Sequence, residues 1–109
     1  MDRDVAATPA TRTFLVERYW PGIDEPMART VLSNLERAAR AMTAEGTPVE
    51  HVVSILMPAD QVVFSLIEAA DEAAVRSVNE RADIPLDRIA AAVALRPNQS
   101  TNESTEGDR

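Results

Sequence analysis

The stretch "VEHVVSILMPADQVVFSLI", residues 49–67, decides the fold. Two runs rich in β-branched residues flank Pro58-Ala59-Asp60, so Val49–Met57 and Gln61–Ile67 read as a hairpin. Both runs are apolar on both parities. Val49, Val53, Ile55 and Met57 share one parity with His51, while Val52 and Leu56 share the other with Glu50 and Ser54. In the second run Val62, Phe64 and Leu66 oppose Val63 and Ile67. A sheet with one wet face alternates apolar and polar residues. This pattern predicts instead a sheet covered on both sides.

Upstream of the hairpin, Thr13–Trp20 is β-rich and ends at Pro21-Gly22. Asp24 reads as an N-cap, with Glu25 and Pro26 in the first turn. Met27, Val31, Leu35, Ala38 and Met42 then recur at helical spacing until Gly46. Downstream, Asp71 caps a second helix with Ala74, Val75, Val78 and Ala82 as its apolar stripe. Arg76, Asn79 and Arg81 read as its solvated face. The helix breaks near Pro85, and Arg88–Leu95 reads as a last strand, although its alanines would also suit a helix. Strand, helix, hairpin, helix, strand is the βαββαβ order of ferredoxin-like α+β folds. Two helices cover one face of an antiparallel sheet. A second copy of the chain is the economical cover for the other, which predicts a sheet-to-sheet homodimer.

The folded domain is thus expected over residues 13–95. Residues 1–12 and 96–109, rich in Thr, Ser, Asn, Pro and charge, are expected to be disordered tails. The opening "MDRDVAATPATR" has no apolar core of a secretory signal, and no apolar run reaches membrane length, so the cytoplasm is the expected compartment.

Composition removes several chemistries. The 109 residues contain no cysteine, which rules out disulfides and thiolate metal sites. The formal charge is −7, from 18 acids against 11 bases, and such a chain repels nucleic-acid phosphates and anionic lipid. With three glycines and no G-x-G-x-x-G or P-loop, phosphate cradles are absent. All 11 bases are arginine, so Schiff-base catalysis is excluded.

Three segments, "FLVERYWPG", "FSLIEAADEAAVR" and "NERADIPLDRI", taken in order, resemble a family of small bacterial ferredoxin-like proteins called nickel-binding-protein-like. The resemblance spans nearly all of residues 13–95. It implies a dimeric α+β barrel, two sheets closing around a shared interior, and a divalent metal such as nickel as cofactor. The family's histidines recur on the first strand, in the second helix and before its closing proline. This chain has Arg18-Tyr19-Trp20, Asn79, and Asp83-Ile84 there, and His51 is its one histidine. His51, joined by carboxylates such as Glu68, is the metal-ligand set that the resemblance leaves.

Strand alternation puts Phe14, Val16, Arg18 and Trp20 on the helix side and Leu15, Glu17 and Tyr19 on the other. A carboxylate enclosed there costs several kcal/mol unless it is paired or protonated. Glu17 and Tyr19 are therefore candidate ligand contacts. Ser54 and Ser65, small polar residues within apolar strands, are candidate hydrogen-bond donors to the same ligand. The leading functional expectation is a homodimeric binding protein holding a small ligand or metal ion between its sheets. The alternatives are a cofactor-independent barrel enzyme of oxygenase or cyclase type, with Glu17 or His51 as acid or base, and a non-catalytic assembly module.

Overall fold

The computed structural model describes residues 11–97; the expectations for residues 1–10 and 98–109 lie outside the described residues. The chain runs β1 (Arg12–Tyr19), α1 (Glu25–Ala44), β2 (Val49–Met57), β3 (Val62–Ala69), α2 (Glu72–Ala82) and β4 (Arg88–Ala92). The strands form one antiparallel sheet in the order β2-β3-β1-β4. Both helices pack on one face, and this is the expected ferredoxin-like α+β fold.

The helix ends follow from local chemistry. Asp24 accepts from the Met27 N–H at 2.9 Å, and Asp71 accepts from the Ala74 N–H at 2.9 Å. At the far end of α1, Thr47 donates to the Met42 carbonyl and Gly46 to the Thr43 carbonyl, a Schellman closure. Gly46 holds φ +100°, and a Cβ placed there would meet no atom within 4 Å. Gly46→Ala therefore isolates the dihedral cost. It should lose about 1 kcal/mol in urea unfolding, with no change in the folded-state spectrum.

The same face of the sheet and both helices build the core. Phe14 and Val16 of β1 and Ile67 of β3 meet Leu35 and Met42 of α1 and Val75 and Val78 of α2. Burying each such side chain contributes about 1.5–3 kcal/mol. Three details differ from the expected pattern. Met27 is exposed and Ala28 is buried in its place, because the buried stripe of α1 runs Ala28, Val31, Leu35. β4 ends at Ala92, not Leu95, because its ladder with β1 runs out at Thr13↔Ala92. Asn79 is 2% exposed and is not on a solvated face. It lies four residues after Val75 and three before Ala82, inside the apolar stripe.

In the last turn of α2, Arg81 reaches Glu45 at the cap of α1 through two hydrogen bonds, at 2.6 and 3.0 Å. That hydrogen bond holds the Glu45 carboxyl below the usual carboxylate range. A carboxyl depressed in the fold adds stability above its unfolded value and loses it as pH falls through the folded value. Arg81→Gln should therefore flatten the acid limb of urea midpoints measured from about pH 6 to about pH 3 at low salt.

Candidate functional site

Two assemblies of candidate side chains lie on opposite faces of the sheet. The first is the open face, which neither α1 nor α2 covers. Paired registers arrange it in rows: Val53, Leu66, Leu15 and Ala90; then Ile55, Phe64, Glu17 and Arg88; then Met57, Val62 and Tyr19. Ile55 is 56% exposed and Tyr19 57%, with Val53 and Met57 also open to solvent. Glu17 and Tyr19 lie on this face, as the alternation of β1 predicts. Glu17 is paired, with Arg88 Nη1 at 3.7 Å.

Glu68 also lies on the open face, at the end of β3. It stands directly opposite Glu50 in the β2–β3 ladder. Like charges in direct register repel. Glu68→Lys should raise stability by about 0.5 kcal/mol in urea unfolding, an effect that added salt erases.

The second assembly is a chain of polar side chains beneath the helices. Its geometry depends on a β-bulge in β2. His51 pairs with Ile67, yet Val53 pairs with Leu66, so Val52 is the extra residue. The bulge reverses the phase of the strand. His51 comes to the helix face with Val49, while Val53, Ile55 and Met57 go to the open face. Strict alternation had grouped all of them together. The double-sided apolarity of β2 thus has this kink as one cause.

On the helix face, His51 Nε2 lies 2.8 Å from Ser54 Oγ, and its Nδ1 lies 3.2 Å from Glu36 Oε2 of α1. Ser54 Oγ is 2.6 Å from Ser65 Oγ on β3. Arg18 of β1 donates through Nη1 to Ser65 Oγ at 2.7 Å and through Nη2 to Asn79 Oδ1 at 2.6 Å. Asn79 donates in turn to the Val75 carbonyl at 2.8 Å. Five of the six secondary-structure elements contribute a side chain.

Donor chemistry fixes the direction of this chain. Arginine only donates and an ionised carboxylate only accepts. With a neutral imidazole, Nδ1–H must therefore donate to Glu36, and Nε2 accepts from the Ser54 hydroxyl. Ser54 then accepts from Ser65, which accepts from Arg18. The chain runs from a buried cation to a half-exposed carboxylate. Arg18 is 0% exposed, and burial pushes its pKa down to about 10, so it stays charged at neutral pH. Its Nε has no hydrogen-bond partner among the described residues.

The expected site residues are therefore divided. Glu17, Tyr19 and Glu68 share the open face; Ser54, Ser65 and His51 share the helix face. The structure does not place the two serines beside Glu17 and Tyr19, and one chain does not bring His51 and Glu68 to a common ion. Ser65 is fully buried, with Arg18 and Ser54 as its partners. Sequence reasoning passed over Arg18 and Asn79, although their parity and helical spacing put both in the core.

Among the described residues no helix is long and apolar enough to cross a membrane. A family model described as "Nickel responsive protein SCO4226-like" matches residues 14–91. Among solved structures, SCO4226 from Streptomyces coelicolor A3(2) superposes with a TM-score of 0.66. It is 20% identical, over 77% of this chain and 99% of that one, which shows the shared fold. A search of curated proteins finds no match. The described side chains of one copy do not fit a nickel ion. Nickel favours nitrogen-rich sites, while both ring nitrogens of His51 are engaged. Among the described residues no three His, Cys, Asp or Glu side chains gather. Fold and family match, spanning strand β1 to strand β4, agree: the chain belongs to the SCO4226-like family of nickel-responsive proteins.

Proposed function

We propose that this chain works as a small homodimeric binding protein of the cytoplasm, two copies setting their open sheet faces together around a small ligand. The observation that supports this reading is the exposed apolar face itself: Val53, Ile55, Met57 and Tyr19 stand in solvent on a sheet whose other side carries both helices and the core. Contiguous apolar surface of this kind marks a binding interface. Val93 and Leu95, exposed past the end of β4, extend the apolar surface available to a partner. Glu17 with its Arg88 partner and the Tyr19 hydroxyl supply the polar contacts of the enclosed space. The bulge sends His51 to the other side, so an organic ligand suits this interior better than a nitrogen-ligated metal.

Native mass spectrometry of protein purified without a metal-affinity tag tests the reading. The expected spectrum shows a dimer that retains a small molecule under gentle activation. A monomer across the accessible concentration range, or a dimer that never carries added mass, overturns it.

A further inference from the structure

The geometry points to Glu36, His51 and Ser54 as a carboxylate–imidazole–hydroxyl triad for acyl transfer from small esters, separate from the open face. A serine nucleophile needs a base within hydrogen-bond reach, and that base needs a third group to orient it. Here Ser54 Oγ lies 2.8 Å from His51 Nε2, and Glu36 Oε2 lies 3.2 Å from His51 Nδ1. The Arg18-to-Glu36 polarity of the chain sets the tautomer in the productive direction, with Nε2 free to take the Ser54 proton. The β-bulge at Val52 brings base and nucleophile to one face; an unbroken strand would put His51 and Ser54 on opposite faces. Ser65, held by Arg18, donates to Ser54 Oγ and so leaves the Ser54 proton directed at His51 Nε2.

The base and the carboxylate of the triad border a groove, and Ser54 lies one hydrogen bond behind His51. Ser54 is half-buried on β2, an edge strand of the sheet. A groove of about 580 Å³ between α1 and β2 reaches His51 and Glu36 and is floored by Ala39, Ala44 and Val49. Its size and apolar floor suit a compact ester.

The chemistry balances. Ser54 Oγ bonds to the ester carbonyl carbon as the carbon–alkoxide bond breaks. The serine proton passes to His51 Nε2 and then to the departing alkoxide. Water, deprotonated by the same nitrogen, releases the acid and restores the serine. Ester and water become acid and alcohol, with no oxidant or metal. Ser54 and His51 are the catalytic residues; Glu36 is a positioning residue.

The test uses the full chain with p-nitrophenyl acetate as substrate and diisopropyl fluorophosphate as label, read by intact mass and peptide mapping. One phosphoryl adduct per chain, on Ser54, is expected. His51→Ala should slow acetate release and labelling about 100-fold. Added imidazole should restore part of that rate, which a merely structural histidine would not allow. Glu36→Asp should retain more activity than Glu36→Gln. Adducts confined to Tyr19 or other surface hydroxyls overturn the triad, as does Ser54 labelling that is unchanged in a folded His51→Ala variant. If that variant fails to fold by circular dichroism, the position of the label on the unmodified chain decides alone.

Discussion

Asn79→Ala should lose about 3 kcal/mol of stability, more than Arg18→Met loses. The order reverses the usual ranking of a small amide against a large charged side chain. Its cause is the buried guanidinium. Arg18 is sealed from water, and burial has already pushed its pKa down to about 10. Its compensation is two neutral acceptors, Ser65 Oγ and Asn79 Oδ1, with Nε unpartnered. Removing Asn79 strands a charge. Hydrogen bonds to charged groups contribute about 1.5–3 kcal/mol, and a stranded buried charge costs more than its partner contributed. Arg18→Met removes the charge itself and keeps most of the volume, leaving two small polar groups to find each other or water; about 1 kcal/mol is expected. In the double variant the charge has gone before its acceptor does. The costs should then be strongly non-additive, with the pair losing less than the sum. For a domain of this size, Asn79→Ala lowers Tm by roughly 10–20 °C, measured at matched protein concentration. A loss below about 1 kcal/mol for Asn79→Ala, or a larger loss for Arg18→Met, would show that the amide does not hold the cation.

The contrast between Arg18 and Asn79 shows where sequence reading succeeds and stops. Local rules carry far. Asp24 and Asp71 at the N-caps, Gly46 past α1 and the turn at Pro58 fix the element order, because each acts within a few residues of its own position. The parity of β1 was legible too, and it already placed Arg18 beside Phe14 and Val16. What alternation cannot show is the acceptor that makes a buried arginine tolerable. Asn79 stands 61 residues away, and only the packing of α2 on the sheet brings it within reach. The bulge at Val52 is hidden for a different reason. Four consecutive apolar or small residues around it, Val52, Val53, Ser54 and Ile55, satisfy either phase, so no polar residue marks which one is extra. One such slip moves His51 from one face to the other. That His51 and Ser54 share the helix face while Val53 and Ile55 turn to the open one follows from that single backbone irregularity, and a strictly alternating strand gives no sign of it.

Ile55→Glu should dissociate the proposed dimer, weakening self-association at least about 1,000-fold. Ile55 sits in the row Ile55, Phe64, Glu17, Arg88, between two rows that are wholly or largely apolar. A two-fold interface counts each substitution twice, so one change buries two unpaired carboxylates. Each costs several kcal/mol when it leaves water without a partner, and about 1.4 kcal/mol is a tenfold change in affinity. Arg88, the cation of that row, is already engaged with Glu17 and offers little relief. The single copy should keep its fold, because the core lies on the other face, built from Phe14, Val16, Ile67 and the two helices. The change should in fact make the monomer more soluble, since it replaces an exposed isoleucine with a charge. Sedimentation velocity across a concentration series separates these effects. The unmodified chain should sediment as a dimer, Ile55→Glu as a folded monomer, and Arg37→Glu, on the exposed side of α1, as a dimer. An Ile55→Glu protein that still pairs would move the interface off the open sheet. The enclosed space around Glu17 and Tyr19 would then have no second wall.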